Sequence, residues 1–367
     1  MRSAVAQIVD VIIGDRLQWF SGDGPWPRRR PLEEEPAMRV LSSLLGRPKT
    51  LLLASALAGA LTLTGCGGSD DEAEGQAQDG GPVSVSVGVI PILDVAPIYL
   101  GIEQGFFEKQ GLELKMETAQ GGAAIVPGVV SGQYQFGFSN TTSLLIAASQ
   151  NLPLKVVTNG VNSTGEKGKD FGGIVVPQDS PIQTAADLAG KRVAVNTLKN
   201  INTTTTNKVV RDAGGDPSQI SYTELPFPEI PAAVAGGDVD AGQVVEPFLT
   251  IAKQQGMREI ASNFAQTDPN LNVGLYFTSQ QYAGENAEVV QKFTSAMQES
   301  LKYANDNPEE AREVLSTYTE IEPAVQEAVT LPSWPEQIDT ASVELLSQLA
   351  LQDELLDAEP DLTKLLP

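Results

Sequence analysis

The fold is decided by residues 83–117, which read VSVSVGVIPILDVAPIYLGIEQGFFEKQGLELKME. A valine-rich run at 83–90 is followed by a helical pattern at 96–110, which stops at Gly111, and by a second apolar run at 112–117. Alternation within the two runs is typical of strands, whereas the longer period between them is typical of a helix. This order predicts a βαβ unit and therefore a largely parallel sheet.

The same alternation continues along most of the chain. With helical patterns between most of them, further strands are expected at 134–138, 154–157, 172–176, 192–196, 222–225, 241–245 and 274–278. From residue 288 onward the apolar spacing is helical only, over 288–305, 308–317, 323–330 and 340–351. The sequence therefore predicts an α/β fold of two small lobes with a helical carboxyl-terminal tail.

The charge balance and the residue counts exclude several classes of function. The chain has 47 acidic and 24 basic residues and a formal net charge of -23, which would repel phosphate backbones, so we expect no nucleic-acid partner. It has no histidine and one cysteine, which excludes Ser-His-Asp and Cys-His nucleophiles, the usual zinc sites and intrachain disulfides. A site built from carboxylates alone remains open, but no loop of the EF-hand type is present. We therefore expect neither a cofactor nor a metal.

The amino-terminal part has the order of an export signal. Arg47 and Lys49 precede an uncharged apolar run at 51–63, which is closed by Leu-Thr-Gly-Cys at 63–66 and followed by a polar stretch. The apolar run is shorter than the ~20 residues that a membrane-spanning helix needs, and glycine and threonine interrupt it. Residues 38–65 are therefore predicted to be a signal peptide.

The end of this segment singles out Cys66. It resembles the bacterial lipobox, which implies that Cys66 carries a diacylglyceryl group and anchors the protein to the extracytoplasmic face of the cell membrane. Two acyl chains give durable attachment where one does not, and 66–82 would be a flexible tether. A leader counted from Met38 has the usual ~15–30 residues, whereas one counted from Met1 is far longer. Residues 1–37 are therefore predicted to be a mis-annotated extension.

Polar residues cluster where the predicted strands end. Asp94 follows the first strand, and the stretches 139–142, 196–203 and 246–248 follow others. Ligands of open α/β sheets bind beyond the carboxyl ends of the strands, so these loops form the expected binding edge. The hydroxyl and amide side chains there also fit a second role, as caps of the helices that follow. Two aromatic residues are candidates either for walls of this site or for packing anchors, Phe227 and Trp334.

Four segments together resemble the solute-binding proteins of ABC importers, in the group that binds nitrate, sulfonates, taurine and thiamine pyrimidines. They are residues 96–107 with the following Gly111-Leu112, 132–139, 187–195 and 237–248. One departure is Gln133-Tyr134-Gln135, where members often have an acidic residue, and we expect it to affect a surface turn. The resemblance covers essentially the whole chain from residue 83 onward.

The resemblance implies a two-lobed periplasmic-binding-protein fold of type II, with a hinge of two crossing strands. Lobe I would hold residues 83–176 and 272–367, and lobe II residues 177–271. A small organic or oxyanion ligand would be captured between the lobes of a monomer and passed to an ABC permease and its ATPase subunits. The residues that the resemblance places at the ligand are Asp94, Ser139, Asn140, Thr141, Asn159, Asn196, Asn202, Thr203 and Glu246.

The sequence leaves the charge of the ligand open. An anion could be held by the helix that starts near Asn202, with Lys199 as the nearest cation, whereas an amine would pair with Asp94 or Glu246. Two other functions remain as alternatives: an enzyme of the same fold, related to a fungal pyrimidine synthase, and a surface lipoprotein that senses a ligand without a transporter. The synthase consumes an active-site histidine, which this chain lacks. A non-enzymatic function is therefore predicted.

Overall fold

The computed structural model describes residues 81–367. The predicted extension, the signal peptide, Cys66 and most of the tether lie outside these residues. Within the described part, no helix is both long enough and apolar enough to cross a membrane.

Ten strands form two five-stranded sheets in this part of the chain. The strands are β1 (Val83–Val89), β2 (Leu112–Thr118), β3 (Phe136–Asn140), β4 (Leu154–Asn162), β5 (Gly172–Val176), β6 (Arg192–Val195), β7 (Ser221–Glu224), β8 (Ala241–Val245), β9 (Arg258–Ala261) and β10 (Asn272–Ser279). The first sheet has the order β2-β1-β3-β10-β4 and the second the order β7-β6-β8-β5-β9. Three strands at one side of each sheet are parallel, and the strand that enters from the other sheet is antiparallel to its neighbours.

Helices connect the parallel strands, as the alternating pattern predicted. The helix predicted over 96–110 is divided in two by Gly105, whose φ of 71° is easily adopted only by glycine. The helices are α1 (Ala96–Glu103), α2 (Phe106–Lys109), α3 (Gly122–Val130), α4 (Thr141–Ser149), α5 (Ile201–Asp212), α6 (Ile230–Gly236), α7 (Phe248–Gln254), α8 (Asn263–Thr267), α9 (Gln280–Glu285), α10 (Ala287–Asp306), α11 (Pro308–Glu313), α12 (Pro323–Ala328), α13 (Thr340–Gln352) and α14 (Leu362–Leu365). Short 3-10 turns lie at Leu93–Val95, Ala185–Leu188, Pro217–Gln219, Phe227–Glu229 and Val314–Thr317.

Strand β5 lies in lobe II, although the sequence predicted it in lobe I. The sequence assigned β5 to lobe I, but this strand pairs with β8 on one side and with β9 on the other, in the second sheet. All five of its residues are buried, so its apolar pattern gives no sign of which sheet it joins. The chain therefore crosses between the sheets before Gly172 rather than after Val176. Hereafter lobe I means the first sheet with its helices and the carboxyl-terminal tail, and lobe II means the second sheet with its helices.

The two crossings between the lobes lie side by side. The backbone N–H of Ser163, on the outgoing crossing, donates to the carbonyl oxygen of Leu271 on the returning one at 2.9 Å. Asp170 also joins them, because its carboxylate accepts from Ser163 Oγ at 2.6 Å and from the backbone N–H of Ala265 at 2.8 Å. These bonds fix the region about which the lobes meet.

The carboxyl-terminal helices are part of lobe I. Phe293 of α10 stacks on Phe136 of β3, with 3.8 Å between the ring centroids, and also contacts Phe107 and Tyr276. All four rings are buried. Burial of one such side chain stabilises a fold by roughly 1.5–3 kcal/mol, so this cluster holds α10 firmly against the first sheet.

Candidate ligand-binding site

A small polar cavity lies between the two sheets, where several strands end. Its volume is about 20 Å³, which is room for about one water molecule, so the lobes are in contact around it. Four of the predicted contact residues line it, namely Asp94, Asn140, Asn196 and Asn202. The other lining residues are Ile90, Ile92, Phe138, Asn200, Ile201, Phe227, Val245, Phe264 and Val273.

A larger apolar cavity lies beside the polar one. It has a volume of about 320 Å³ and shares Ile90, Ile92 and Phe227 with its polar neighbour. This volume falls within the range of roughly 300–1,000 Å³ that is usual for small-molecule sites. The remaining lining residues are Pro91, Thr118, Ala119, Gln120, Pro226, Pro228 and Phe248.

Asp94 is the acidic group of the polar cavity. It lies on the 3-10 turn after β1, is only 3% exposed, and its Oδ1 has no hydrogen-bond partner among the described residues. Its pKa is raised to about 7, chiefly by burial and to a smaller extent by the negative charge of Asp170, against the effect of its own backbone N–H. Trp334 Nε1 donates to the carbonyl oxygen of Asp94 at 3.1 Å. The indole therefore lies behind the turn, as a packing anchor that holds Asp94 in place.

Asn140 connects the two lobes. It ends β3 and caps α4, because its Oδ1 accepts from the backbone N–H of Ser143 at 2.9 Å. The same oxygen accepts from the backbone N–H of Ile201, in lobe II, at 3.3 Å. Its Nδ2 donates to Ser143 Oγ at 2.9 Å. Both predicted roles, cap and cleft residue, therefore fall on one side chain.

A network of amide side chains forms the lobe II wall. Asn196 Oδ1 accepts from Asn200 Nδ2 at 2.8 Å and from Asn202 Nδ2 at 2.7 Å. Asn200, rather than Asn202 or Thr203, caps α5: its Oδ1 accepts from the backbone N–H groups of both residues, at 3.0 and 3.4 Å. Thr203 completes this capping box, because its Oγ1 accepts from the backbone N–H of Asn200 at 3.1 Å. Thr203 does not line either cavity.

Three other predicted contacts in lobe I lie behind the cavity wall. Thr141 Oγ1 donates to the carbonyl oxygen of Asn272 at 2.8 Å, and Asn159 accepts from the amide of the same residue. The side chains of Thr141 and Asn159 therefore form hydrogen bonds with Asn272, beside the returning crossing. Ser139 is fully buried beneath Gly122, where an added Cβ would lie only 1.9 Å from its Oγ. None of the three lines the polar cavity or the apolar one.

Glu246 fastens the lobes together from outside the cavity. Its carboxylate accepts from the backbone N–H and Oγ1 of Thr250, at 3.0 and 2.9 Å, and from the backbone N–H of Thr330, in the carboxyl-terminal tail, at 3.1 Å. Its carbonyl oxygen accepts from the backbone N–H of Leu93 at 3.1 Å. Burial raises the pKa of the Glu246 carboxyl to about 7, although the Thr330 and Thr250 N–H groups act in the opposite direction. Its acceptor positions are therefore occupied within the protein.

Sequence reasoning missed Asn200 and most of the aromatic wall. Asn200 stands in the predicted loop 196–203, and the signal that could have identified it is its place three residues before Thr203, as in a capping box. Phe227, a candidate for either a wall residue or a packing anchor, lines both cavities. Phe138 and Phe264 give no such signal, because buried aromatic residues in or next to strands are usually core residues.

The comparison with known proteins identifies the family. Residues 93–311 match the family described as NMT1/THI5 like. The chain belongs to this family. Two similar proteins are the formylaminopyrimidine-binding protein of Halalkalibacterium halodurans, 25% identical over 60% of this chain and 65% of the relative, and the taurine-binding periplasmic protein of Escherichia coli, 26% identical over 56% and 61%. The matched part spans less than two thirds of the length of either relative.

A solved structure supports the fold of this NMT1/THI5-like chain. The alkanesulfonate-binding protein from Xanthomonas axonopodis pv. citri superposes with a TM-score of 0.66 over 78% of this chain and 99% of the other, at 19% identity. At this identity the likeness concerns the fold alone. The expected two-lobed periplasmic-binding-protein fold is confirmed.

The two cavities differ in the chemical groups that line them. Among the residues lining its two cavities, Asp94 is the one titratable side chain. The described residues contain no group of three or more His, Cys, Asp or Glu side chains that could hold a metal ion. The lining therefore presents one carboxyl group together with amide groups and aromatic faces.

Proposed function

We propose that the protein is an extracytoplasmic solute-binding lipoprotein, which captures one small molecule between its lobes and delivers it to an ABC permease with its ATPase subunits. The observation that carries this proposal is a polar cavity whose walls come from both lobes, where strands end. The names of similar proteins support it, because they are binding proteins for formylaminopyrimidine, taurine and alkanesulfonates.

The lining explains how a ligand would favour one arrangement of the lobes. Asp94 stands on one wall and Asn202 on the other, so a single ligand contacts both only when the lobes meet. A ligand shifts the equilibrium between separated and closed lobes toward the state that it binds more tightly. A ligand that contacts both walls binds the closed state more tightly. The closed, loaded form is then the form that docks on the permease.

We also propose that the protein is attached to the membrane through Cys66 and that it carries out no reaction on its ligand. Two acyl chains on Cys66 would keep the protein at the membrane that holds the permease. A hydrolytic or transfer reaction needs a nucleophile or an acid and base pair, and the cavities supply a single carboxyl, Asp94. The ligand is therefore bound and released unchanged.

Thermal denaturation tests the binding function. The full chain is expressed, the protein is purified from the membrane fraction, and a panel of sulfonates, nitrate, pyrimidines, amines and aromatic acids is added. We expect one chemical class to raise the melting temperature; at one hundred times its Kd a ligand stabilises by about 2.7 kcal/mol. Recovery of the bound compound unchanged supports a binding protein, whereas turnover favours an enzyme of the same fold.

Uptake of the compound found in that screen tests delivery. Deletion of the gene for this protein should abolish uptake into cells, as should deletion of the permease gene. If the purified protein binds the compound but deletion leaves uptake unchanged, the protein acts as a sensor without a transporter, and delivery is excluded.

A further inference from the structure

The polar groups of the otherwise apolar cleft include one carboxyl and several amides, and no cation lines it. Neither the polar cavity nor the apolar one is lined by a lysine or an arginine. Lys199, the cation nearest in sequence to the lobe II wall, lines a separate cavity together with Ala123, Pro127 and Ser143. An oxyanion in the cleft would therefore lack a positively charged partner, and a buried charge without a partner is costly.

The start of α5 does not offer its backbone donors to an anion. The N–H of Ile201 donates to Asn140 Oδ1 at 3.3 Å, and those of Asn202 and Thr203 donate to Asn200 Oδ1 at 3.0 and 3.4 Å. These are the groups through which a helix amino terminus usually binds phosphate, sulfate or carboxylate. Because side chains of the protein already accept from them, they contribute little to oxyanion binding.

Two of the groups left open in the cleft are hydrogen-bond acceptors. Asp94 is 3% exposed and its Oδ1 has no partner in the described structure. Asn202 uses its Nδ2 to donate to Asn196, which leaves its Oδ1 to accept from a ligand. A buried carboxylate without a partner is strongly disfavoured, and a donor from a ligand would remove that cost.

Aromatic side chains line both cavities of the cleft. Phe138, Phe227 and Phe264 line the polar cavity, and Phe227 and Phe248 line the apolar one, with 6.2 Å between the last two ring centroids. Aromatic faces bind flat apolar groups and attract cations. The cleft therefore matches a compound with an apolar body and a nitrogen that carries hydrogen-bond donors.

We propose that the ligand is a small nitrogen base, whose protonated amine, amidine or ring amino group donates to the Asp94 carboxylate and to Asn202 Oδ1. This inference rests on the proposed solute-binding function and narrows it to one class of ligand. It disfavours simple oxyanions such as nitrate, because no lysine or arginine lines the cleft, although similar proteins are named for binding taurine and alkanesulfonates.

A matched series of benzene derivatives tests the inference by calorimetry and by thermal denaturation. Benzamidine and benzylamine carry a cationic nitrogen group, whereas benzoate and benzenesulfonate carry an anion on the same ring. The whole lipoprotein is compared with Asp94→Asn, which keeps the size of the side chain, and with Asp179→Asn, which removes the same charge from an exposed position. We expect both bases to bind the wild type and Asp179→Asn, and to bind Asp94→Asn about tenfold more weakly or worse, because a charge-assisted hydrogen bond is lost.

Three other outcomes are possible, and they contradict the ligand class, the role of Asp94 or the binding function. If benzoate or benzenesulfonate binds and the bases do not, the ligand class is wrong and the solute-binding function stands. If the bases bind Asp94→Asn as well as the wild type, Asp94 is not their partner and the inference fails. If neither base binds, the inference also fails; the proposed function fails with it only if the wider screen finds no ligand of any class.

Discussion

The backbone N–H of Ile201 donates to Oδ1 of Asn140 across the cleft, over 3.3 Å. The same oxygen accepts from the N–H of Ser143 and so caps α4. Separation of the lobes would break the first bond and leave the second. The bond between Ile201 and Asn140 thus belongs to the closed arrangement alone, and its free energy adds to that of the ligand in favour of closure.

Replacement of Asn140 should therefore affect folding and binding together. Asn140→Ala removes a helix cap, for which we expect a loss of about 1 kcal/mol of unfolding free energy. It also removes the bond between the lobes, worth about 1 kcal/mol, so the affinity for a bound compound should fall by roughly fivefold. Urea denaturation and calorimetry measure the two effects.

The control for this variant is Ser279→Ala. Ser279 caps α9, where its Oγ accepts from the N–H of Tyr282 at 3.0 Å, and it lines neither cavity of the cleft. The Ser279→Ala variant should lose a comparable amount of unfolding free energy and should bind the ligand with the affinity of the wild type. Equal affinities of Asn140→Ala and Ser279→Ala would show that Asn140 takes no part in closure.

The glycine at the start of α3 should tolerate no side chain. A Cβ at Gly122 would lie 1.9 Å from Oγ of Ser139, on β3, which is fully buried and cannot move aside freely. We expect Gly122→Ala to lower the melting temperature and to weaken ligand binding, because it displaces the strand end that carries Asn140. In Gly284→Ala nothing lies within 4 Å of the new Cβ, so that helical control should be neutral or slightly stabilised. Similar melting temperatures of the two variants would contradict the close packing of Gly122 against Ser139.

The alternation of strands and helices could be predicted because each element carries its own apolar period. The lengths of the strands and their pairing partners could not be predicted in this way. The strand predicted over 154–157 runs on to Asn162, through polar residues such as Thr158 and Asn159 that are fully buried beside β10. Their polarity indicated a loop, but long-range pairing with a strand more than a hundred residues later made them part of the sheet.

The position of the candidate site was predictable, whereas the directions of its side chains were not. The family resemblance places Asn196 and Asn202 at the ligand, on a loop at the carboxyl end of a strand, and both line the polar cavity. Glu246 follows β8 in the same way, and its carbonyl oxygen does lie beside the Asp94 turn, on the N–H of Leu93. Its carboxylate turns instead toward Thr250. The choice between these directions depends on tertiary neighbours that the local sequence does not reveal.

Loss of the Glu246 carboxylate should destabilise the protein without removing the ligand site. Glu246→Ala leaves the N–H groups of Thr250 and Thr330 without their acceptor, and each buried orphan donor costs about 1–3 kcal/mol. Glu224→Ala is the control, since Glu224 is exposed and accepts from a single backbone N–H, that of Leu198. We expect a much smaller loss there. Abolished binding in a Glu246→Ala protein that is still folded would place Glu246 at the ligand after all.

Attachment to the membrane should depend on Cys66 alone. Cys66→Ser removes the thiol to which the lipid would be joined, so the protein should no longer incorporate labelled palmitate and should leave the membrane fraction. Ser69→Ala, three residues further along the predicted tether, should change neither result. Continued membrane association of the unlabelled Cys66→Ser protein would show that something other than an acyl anchor holds it.

Two buried carboxyls should make the stability of the ligand-free protein depend on pH. Burial raises the pKa of Asp94 from 3.8 and that of Glu246 from 4.5, in each case to about 7. The folded protein therefore keeps protons that the unfolded chain releases above pH 4 to 5. Their contribution to stability is complete below those values and is lost as the pH rises through 7. The negative charge of Asp170 acts on Asp94, and the positive charge of Lys253 acts on Glu246. Tyr276 and Tyr318 face Asp94, whose negative charge raises the pKa of both hydroxyls beyond the effect of burial.

Melting temperatures at pH 5 and pH 8 measure this effect when the wild type is compared with the double variant Asp94→Asn, Glu246→Gln. The variant has no carboxyl to titrate at either position, so the wild type should lose more stability than the variant between the two pH values. A cationic ligand should reverse the trend for Asp94, because ionisation above pH 7 strengthens the pair; the affinity for benzamidine should rise from pH 6 to pH 8. Parallel melting curves, with an affinity that does not change with pH, would mean that neither carboxyl keeps its proton near neutrality.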